Sequence, residues 1–448
     1  MDRNCFQPEV ETLPVEKLKV LQLERLKSIV DRVYHQIPFY KKLYDEAGVK
    51  PSDIRHLEDI RRLPFLEKAS VRGAYPTGNV LAPREELLEM HSTSGTTGKP
   101  VLVFATREDL DLWGDLNARE LWMVGLRPGD SLLNAYGYGL PTGGFGFHYG
   151  AHKIGVLAIP TGSGQVDRQL DLLVDLGVTA FCMTPSFALY VAQRAKERGL
   201  DLAKGAKCRI GLFGAEPWPW STRMKIEELF GITAYDEFGM TEFLGPGMTC
   251  ECPLRHRDQG MHAWADAFLA ECIDPETEEP VPDGSPGEMV WTTLAFEGSP
   301  FIRYRSRDLA SFTWASCECG RTHPRMGAIK GRTDDAVPIS GFIVFPSQVE
   351  EALLQFEEMG ANFRMVIDTD KRGMDHFSLR VEVKDPDLLG RPDQRENLEK
   401  KMQGAVQSVA GVKPKIIELL KPDALPRVTA GEGKTASARV EDHRKKHD

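Results

Sequence analysis

No run of about 18 apolar residues occurs in the 448-residue chain, so the sequence offers no membrane-spanning helix. Basic charge is also in short supply: 56 Lys and Arg against 66 Asp and Glu leave a net charge of −10. Nucleic-acid binders carry a basic footprint, and this balance argues against such a partner. Eight cysteines are too few over this length for a disulfide scaffold. Met1-Asp2-Arg3-Asn4-Cys5 lacks the apolar core of a secretory signal, so a soluble, cytoplasmic protein is expected. There is no internal repeat and no low-complexity tract, and the glycines near Gly144 and Gly146 are wrongly spaced for the Gly-x-Gly-x-x-Gly of a dinucleotide site.

What is present is ordinary globular material, 41% hydrophobic and 27% charged, long enough for two or three domains with real cores. Leu23, Leu26, Val30, Val33 and Ile37 recur at helical spacing, with Pro38 as the stop. From about 110 to 240, short apolar runs alternate with helical patterns: a strand over 178–183, a helix over 186–198, a strand over 209–213. That alternation predicts βαβ units and a largely parallel sheet. From 262 to 313 strand-like runs are broken by turn clusters, which predicts a β-rich subdomain. Gly331-Arg-Thr-Asp-Asp335 reads as a junction before a smaller α/β unit, with a helix near 347–356 and a strand near 376–383.

One loop stands out. Ser92-Thr-Ser-Gly-Thr-Thr-Gly-Lys-Pro100 crowds hydroxyls, two glycines and a lysine into a stretch unsuited to helix or strand. Gly95 and Gly98 permit tight backbone turns, so hydroxyls and amides of Ser94, Thr96 and Thr97 can converge with Lys99 on phosphate oxygens. It is not a Walker loop, which needs four residues between its first glycine and Gly-Lys; here there are two. A plain surface linker is the competing reading of such a run.

Further segments follow in a telling order: Asn134-Ala-Tyr-Gly-Tyr-Gly139 running on to Gly150, Phe213-Gly-Ala-Glu-Pro-Trp218, Tyr235-Asp-Glu-Phe-Gly-Met-Thr-Glu242, Arg303-Tyr-Arg-Ser-Arg-Asp308, and Gly331 to Asp335 continuing to Glu350. Together they resemble the adenylate-forming superfamily, and within it the phenylacetate–coenzyme A ligase branch, from roughly residue 10 to 440. The resemblance implies an α/β N-terminal adenylating domain, residues 1–332, and a small mobile α/β domain, residues 333–448. It implies that an aromatic carboxylic acid attacks Mg·ATP to give an acyl-adenylate. Coenzyme A then takes the acyl group, releasing AMP.

By the same resemblance, Gly214, Ala215, Glu216, Asp236, Glu237, Phe238, Gly239 and Met240 would bind the nucleotide, with Gly214, Ala215, Glu216 and Phe238 meeting the adenine. Arg332 joins that set, and the family usually has tyrosine where Phe238 stands. Thr241 would contact the α-phosphate, and Glu242 is the natural Mg²⁺ ligand, since the ion prefers carboxylates and retained waters. A helix-start carboxylate is its bland alternative. Asp308 can accept both ribose hydroxyls; an ion pair with Arg303, Arg305 or Arg307 is the competing use. Leu425 to Lys434 resembles the mobile-domain loop whose lysine, here Lys434, neutralises charge during adenylation. Its spacing to Arg439-Val-Glu-Asp is wider than the family's pattern. Asp335 is the implied hinge.

Tyr136, Gly139, Phe145 and Phe147 would wall a flat apolar acid pocket, or pack as core. Phenylacetate ligases tend to carry a small residue at the position of Phe147. Cys317-Glu-Cys319-Gly320 resembles half of a zinc site. The family frame adds Cys252 and His262 for a closed structural set, with Cys250 and His256 as competitors and free thiols as the alternative. Partners are therefore the acid, ATP and coenzyme A, and a homodimer is common in this family. Two rival readings stay in view: a nucleotidyltransferase that adenylylates a deazaflavin cofactor, and a non-catalytic nucleotide-binding homologue.

Overall fold

The strands Ala180–Met183 and Ile210–Phe213 are buried at every position. Unbroken apolar runs of this kind belong to parallel strands covered on both faces. In this computed structural model, which describes residues 5–93, 99–254, 260–335, 337–339, 342–369, 375–426 and 439–444, they are central members of a parallel array. Its order is Leu157–Pro160, Ser131–Asn134, Ala180–Met183, Ile210–Phe213, Thr233–Phe238. The sheet then turns antiparallel through Thr249–Glu251, Met261–Ala263, Arg325–Met326, Tyr304–Thr313, Pro286–Thr293 and Phe268–Ile273. The expected βαβ half and β-rich half are thus one continuous sheet.

Two helices, Arg107–Met123 and Gly143–Lys153, pack on each other beside the array. The first starts at a capping box, Asp109 N donating to Thr106 Oγ1 at 3.3 Å and Thr106 N to Asp109 Oδ2 at 2.9 Å. Their close approach depends on Gly150, where a Cβ would stand 2.6 Å from Asn117 Cβ. The N-terminal helix runs Val15–Gln36 and buries Leu18, Leu26, Ile29, Val30 and Val33. Pro38 does not merely stop it. Ile37 is extended (φ −112, ψ 106), and Pro38 opens a second helix, Pro38–Glu46, at a first-turn position that needs no N–H donor.

The strand Tyr304–Thr313 is irregular where it matters. Against its neighbour, Val290 faces Arg305 and Glu288 faces Leu309, with a register shift between them. Arg307 at the shift has φ 69. A bulge of this kind re-aims side chains and favours the surroundings of active sites; here it carries Asp308.

The chain divides into two compact units, Met1–Glu216 with Arg223–Ala328, and Pro217–Thr222 with Ile329–Asp448. The second unit holds a four-stranded sheet ordered Ile417–Leu420, Asp375–Val383, Met359–Thr369, Val440–Asp442, antiparallel at its centre and parallel at both edges. Helices Pro346–Leu353 and Pro392–Ala410 join its core through Val349, Leu353, Leu398, Met402 and Val406. Gly411, at φ 75, terminates the longer one. Among the described residues no helix is long and apolar enough to cross a membrane.

Candidate active site and metal centre

The segment after Thr233–Phe238 folds back on itself. A Cβ on Gly239 would lie 2.7 Å from Gly245 Cα, so the two backbones touch, and the short 3₁₀ turn Thr241–Phe243 sits in the bend. This geometry fixes Thr241 beside Glu242, whose carboxyl is buried. Lys68 Nζ lies 2.9 Å from Glu242 Oε1, and Tyr304 Oη donates to the same oxygen at 2.8 Å. Burial alone would raise the Glu242 pKa. The Lys68 charge and hydrogen bond, with help from Tyr304, outweigh it and hold the carboxyl below its ordinary value. Glu242 is thus a desolvated yet anionic carboxylate.

Lys68 is positioned in turn. Leu66 N donates to Arg303 O at 2.8 Å and Arg305 N to Leu66 O at 3.1 Å, stitching the segment to the strand that carries Asp308. Arg307 Nη2 donates to both Glu67 oxygens at 2.7 Å. The arginines flanking Asp308 each bind glutamates: Glu271 for Arg303, Glu288 and Glu278 for Arg305, Glu67 and Glu288 for Arg307. Neither Lys68 nor Tyr304 is marked out by the sequence. Lys68 follows no motif, and Tyr304 sits inside one that drew attention only to its aspartate.

The aromatic residues fall into two groups, Tyr136 with Phe147 and Tyr138 with Phe145, His91 and Tyr149. Tyr136 stacks on Phe147 with centroids 5.8 Å apart; Tyr136 Oη donates to Met183 O at 3.0 Å and accepts from Gly214 N at 2.9 Å. Phe147 is fully buried, so it fills space as much as it lines it. Phe145 meets Tyr138 at 5.4 Å and His91 at 5.5 Å. His91 contacts Leu140 O at 3.2 Å and Glu89 at 3.0 Å, and Tyr149 bonds the other Glu89 oxygen. Gly139 is exposed on the loop between.

Among the residues expected from sequence to meet the nucleotide, Ala215 is exposed in a left-handed conformation (φ 68), and Glu216 Oε1 accepts from Ser186 N at 2.6 Å. Phe238 stacks on Trp291 at 6.2 Å. Asp236 N donates to Glu251 Oε2 at 2.8 Å, and Arg223 anchors that carboxylate with two bonds of 2.7 and 3.0 Å. Lys99 is exposed, its ammonium 4.9 Å from the Tyr75 ring centroid. In the smaller unit, Arg332 Nε donates to Asp334 Oδ1 at 2.9 Å and lies 3.7 Å from Asp335 Oδ2. Ser94, Gly95, Thr96, Thr97, Gly98, Lys434 and His256 lie outside the described residues.

Donor atoms of Cys252, His262, Cys317 and Cys319 all fall within 4.8 Å of one another. His262 Nδ1 donates to His323 O at 3.1 Å, leaving Nε2 to face Cys319 Sγ at 3.2 Å. Such an outer bond fixes the tautomer of a metal-binding imidazole. Gly320 N closes a turn onto Cys317 O at 3.1 Å, which presents both thiols on one side. Cys250 takes no part; it is fully buried, with Sγ 3.6 Å from Glu251 O. Three thiols and one imidazole suit a tetrahedral ion with no open position.

Residues 11–293 match the family model of AMP-binding enzymes, and 341–444 match that of the AMP-binding enzyme C-terminal domain. A phenylacetate–coenzyme A ligase of Thermus thermophilus is 41% identical over 438 residues, covering 95% of this chain and 97% of the relative. One from Escherichia coli is 38% identical over 428 residues, covering 95% and 96%. Among solved structures, 2-hydroxyisobutyryl-CoA ligase with an acyl-AMP in its postadenylation state superposes with TM-score 0.86 at 31% identity, covering 98% of this chain and 92% of that one.

Proposed function

The chain belongs to the AMP-binding enzyme family, and from that membership we propose an AMP-forming ligase that joins an aromatic, phenylacetate-like acid to coenzyme A. The observation that carries the reading at the site is the Lys68–Glu242–Tyr304 contact: a buried, anionic carboxylate beside Thr241, held by a lysine that can also meet an acid. In the first step the substrate carboxylate oxygen bonds to the α-phosphorus of ATP and the bond to pyrophosphate breaks. In the second the thiol sulfur bonds to the acyl carbon, the acyl–oxygen bond breaks and AMP leaves.

Roles follow from place and charge. Lys68 and Lys434 draw the two anionic reactants together, which is the main electrostatic demand of the first step. Residues 94–99 cradle phosphates, Asp308 takes the ribose hydroxyls, and Tyr136, Phe145 and Phe147 shape the acid pocket. Glu242 is the residue that would hold Mg²⁺, which neutralises phosphate charge when bound. Residues 1–332 act as the adenylating domain, and 333–448 turn about Asp335 between the steps, shielding a hydrolysable intermediate. The Cys252–His262–Cys317–Cys319 cluster is assigned to a structural zinc ion; closely set donors of the preferred kinds support it.

ATP–pyrophosphate exchange across a panel of carboxylic acids tests the reading. Exchange should depend on an aryl acid, and AMP should leave only when coenzyme A is added. AMP retained on the product would make the protein a nucleotidyltransferase instead, and exchange with no acid would leave only a binding protein.

A further inference from the structure

In the parallel array Asp236 lies opposite Phe213, which brings Glu237 alongside Gly214. Glu237 is only 6% exposed, and its carboxyl turns against the bare Cα of that glycine: a Cβ there would stand 2.1 Å from Oε1. Gly214 N is the same group that donates to Tyr136 Oη, and Tyr136 stacks on Phe147. Glu237 therefore shares one cluster with side chains assigned to the acid pocket, although its motif suggests a place on the nucleotide side. Its Oε2 has no hydrogen-bond partner among the described residues. Leaving a buried polar oxygen unmatched is unfavourable, so such an oxygen marks a place where a ligand can supply the partner.

The surroundings narrow the ligand. Burial pushes the carboxyl up to about 8, and the charged neighbour that adds to this is Asp236, of like sign. Glu120, Cys182 and Cys250 are buried in the same field and bring no positive charge. None of these groups would supply a counter-charge to a second substrate carboxylate, and a bare ring would leave Oε2 unmatched. A neutral carboxyl both donates and accepts, and so does a hydroxyl.

Resting on the aryl-acid ligase reading above, we propose that Glu237 determines specificity in the acid pocket, and that the acid activated carries a ring hydroxyl which hydrogen-bonds its buried carboxyl.

The test is ATP–pyrophosphate exchange by the full-length enzyme with phenylacetate, 3-hydroxyphenylacetate and 4-hydroxyphenylacetate, in the wild type, Glu237→Gln and Glu237→Leu. Sites built to bond a substrate hydroxyl can reject the analogue lacking it by roughly 10⁴–10⁵-fold. With one bond at stake, the wild type should favour one hydroxylated acid by about 10–100-fold in kcat/KM. Glu237→Gln keeps a donor and an acceptor and should retain most of that preference. Glu237→Leu should lose it, with the KM for ATP unchanged. Equal use of all three acids by the wild type overturns the proposal, even if the leucine variant fails to fold. So does the same preference in wild type and leucine variant, or a rise in the KM for ATP common to all acids. Absence of exchange with any acid in the wild type would instead remove the ligase reading, and this inference with it.

Discussion

Lys68 reaches Glu242 across 174 residues of sequence, its ammonium 2.9 Å from the buried Oε1. The pair joins a segment without a motif to the end of the family's most legible one. It also keeps a carboxylate charged in a place where burial would otherwise neutralise it.

Replacing that lysine should therefore do two things. Lys68→Met is expected to slow adenylation roughly 100–1,000-fold, the scale for removing one oriented electrostatic group. It should also let burial dominate at Glu242, so the acidic limb of the pH–rate profile moves to higher pH. Single-turnover adenylation across pH reads both, and a merely slower enzyme with an unmoved profile would deny the coupling.

Lys434 and Asp335 should separate the half-reactions. Lys434→Ala should cripple adenylation by a similar factor while sparing thioester formation from supplied acyl-adenylate. Asp335→Pro fixes φ near −65° and should do the reverse, with adenylate formed and thiolation stalled. Rapid-quench measurement of each half-reaction decides, and equal damage to both steps would contradict the assigned roles.

Metal analysis of purified protein should find about one zinc per chain. Cys319→Ser and His262→Ala should abolish it, whereas Cys250→Ser should not, because Cys250 stands outside the cluster. Chelation should lower the melting temperature before it lowers kcat, since the ligands come from segments far apart in sequence. A metal-free protein of full stability would refute the assignment.

Glu237 predicts the direction of a pH effect on stability. Its folded pKa, about 8, lies above the ordinary 4.5, so between those values the folded state holds a proton that the unfolded chain has released. That contribution is fully present below about 4.5 and declines as pH rises toward 8, by at most a few kcal/mol. Glu237→Gln should flatten the decline. Melting curves from pH 5 to 8.5 with parallel slopes for both proteins would contradict it.

The sequence disclosed what local chemistry writes down. Apolar runs marked Ala180–Met183 and Ile210–Phe213, and Cys317-Glu-Cys319 marked half of the converging donors, with Cys252 and His262 supplied by the family frame. Contacts created by pairing were not legible. Lys68 owes its position to Leu66 bonding the backbone around Arg303 and Arg305, and Glu237 meets Gly214 because two strands run in parallel register. Nothing near either residue in the chain encodes the neighbour. Pro38 shows the opposite fault: the same residue type can close one helix and open the next, and only the backbone of Ile37 tells which.

The register shift beside Asp308 has a bearing on descent. Arg305 and Leu309 stand four positions apart where their partners Val290 and Glu288 stand two apart. The surplus is an even number, so side chains before and after the bulge keep their sense of up and down. Losing one residue there would turn every later side chain of the strand to the wrong face. Lineages of this enzyme should therefore gain or lose residues at that point only in twos, a parity rule that an inventory of natural length variants, or a pair of one- and two-residue deletions, can put to the test.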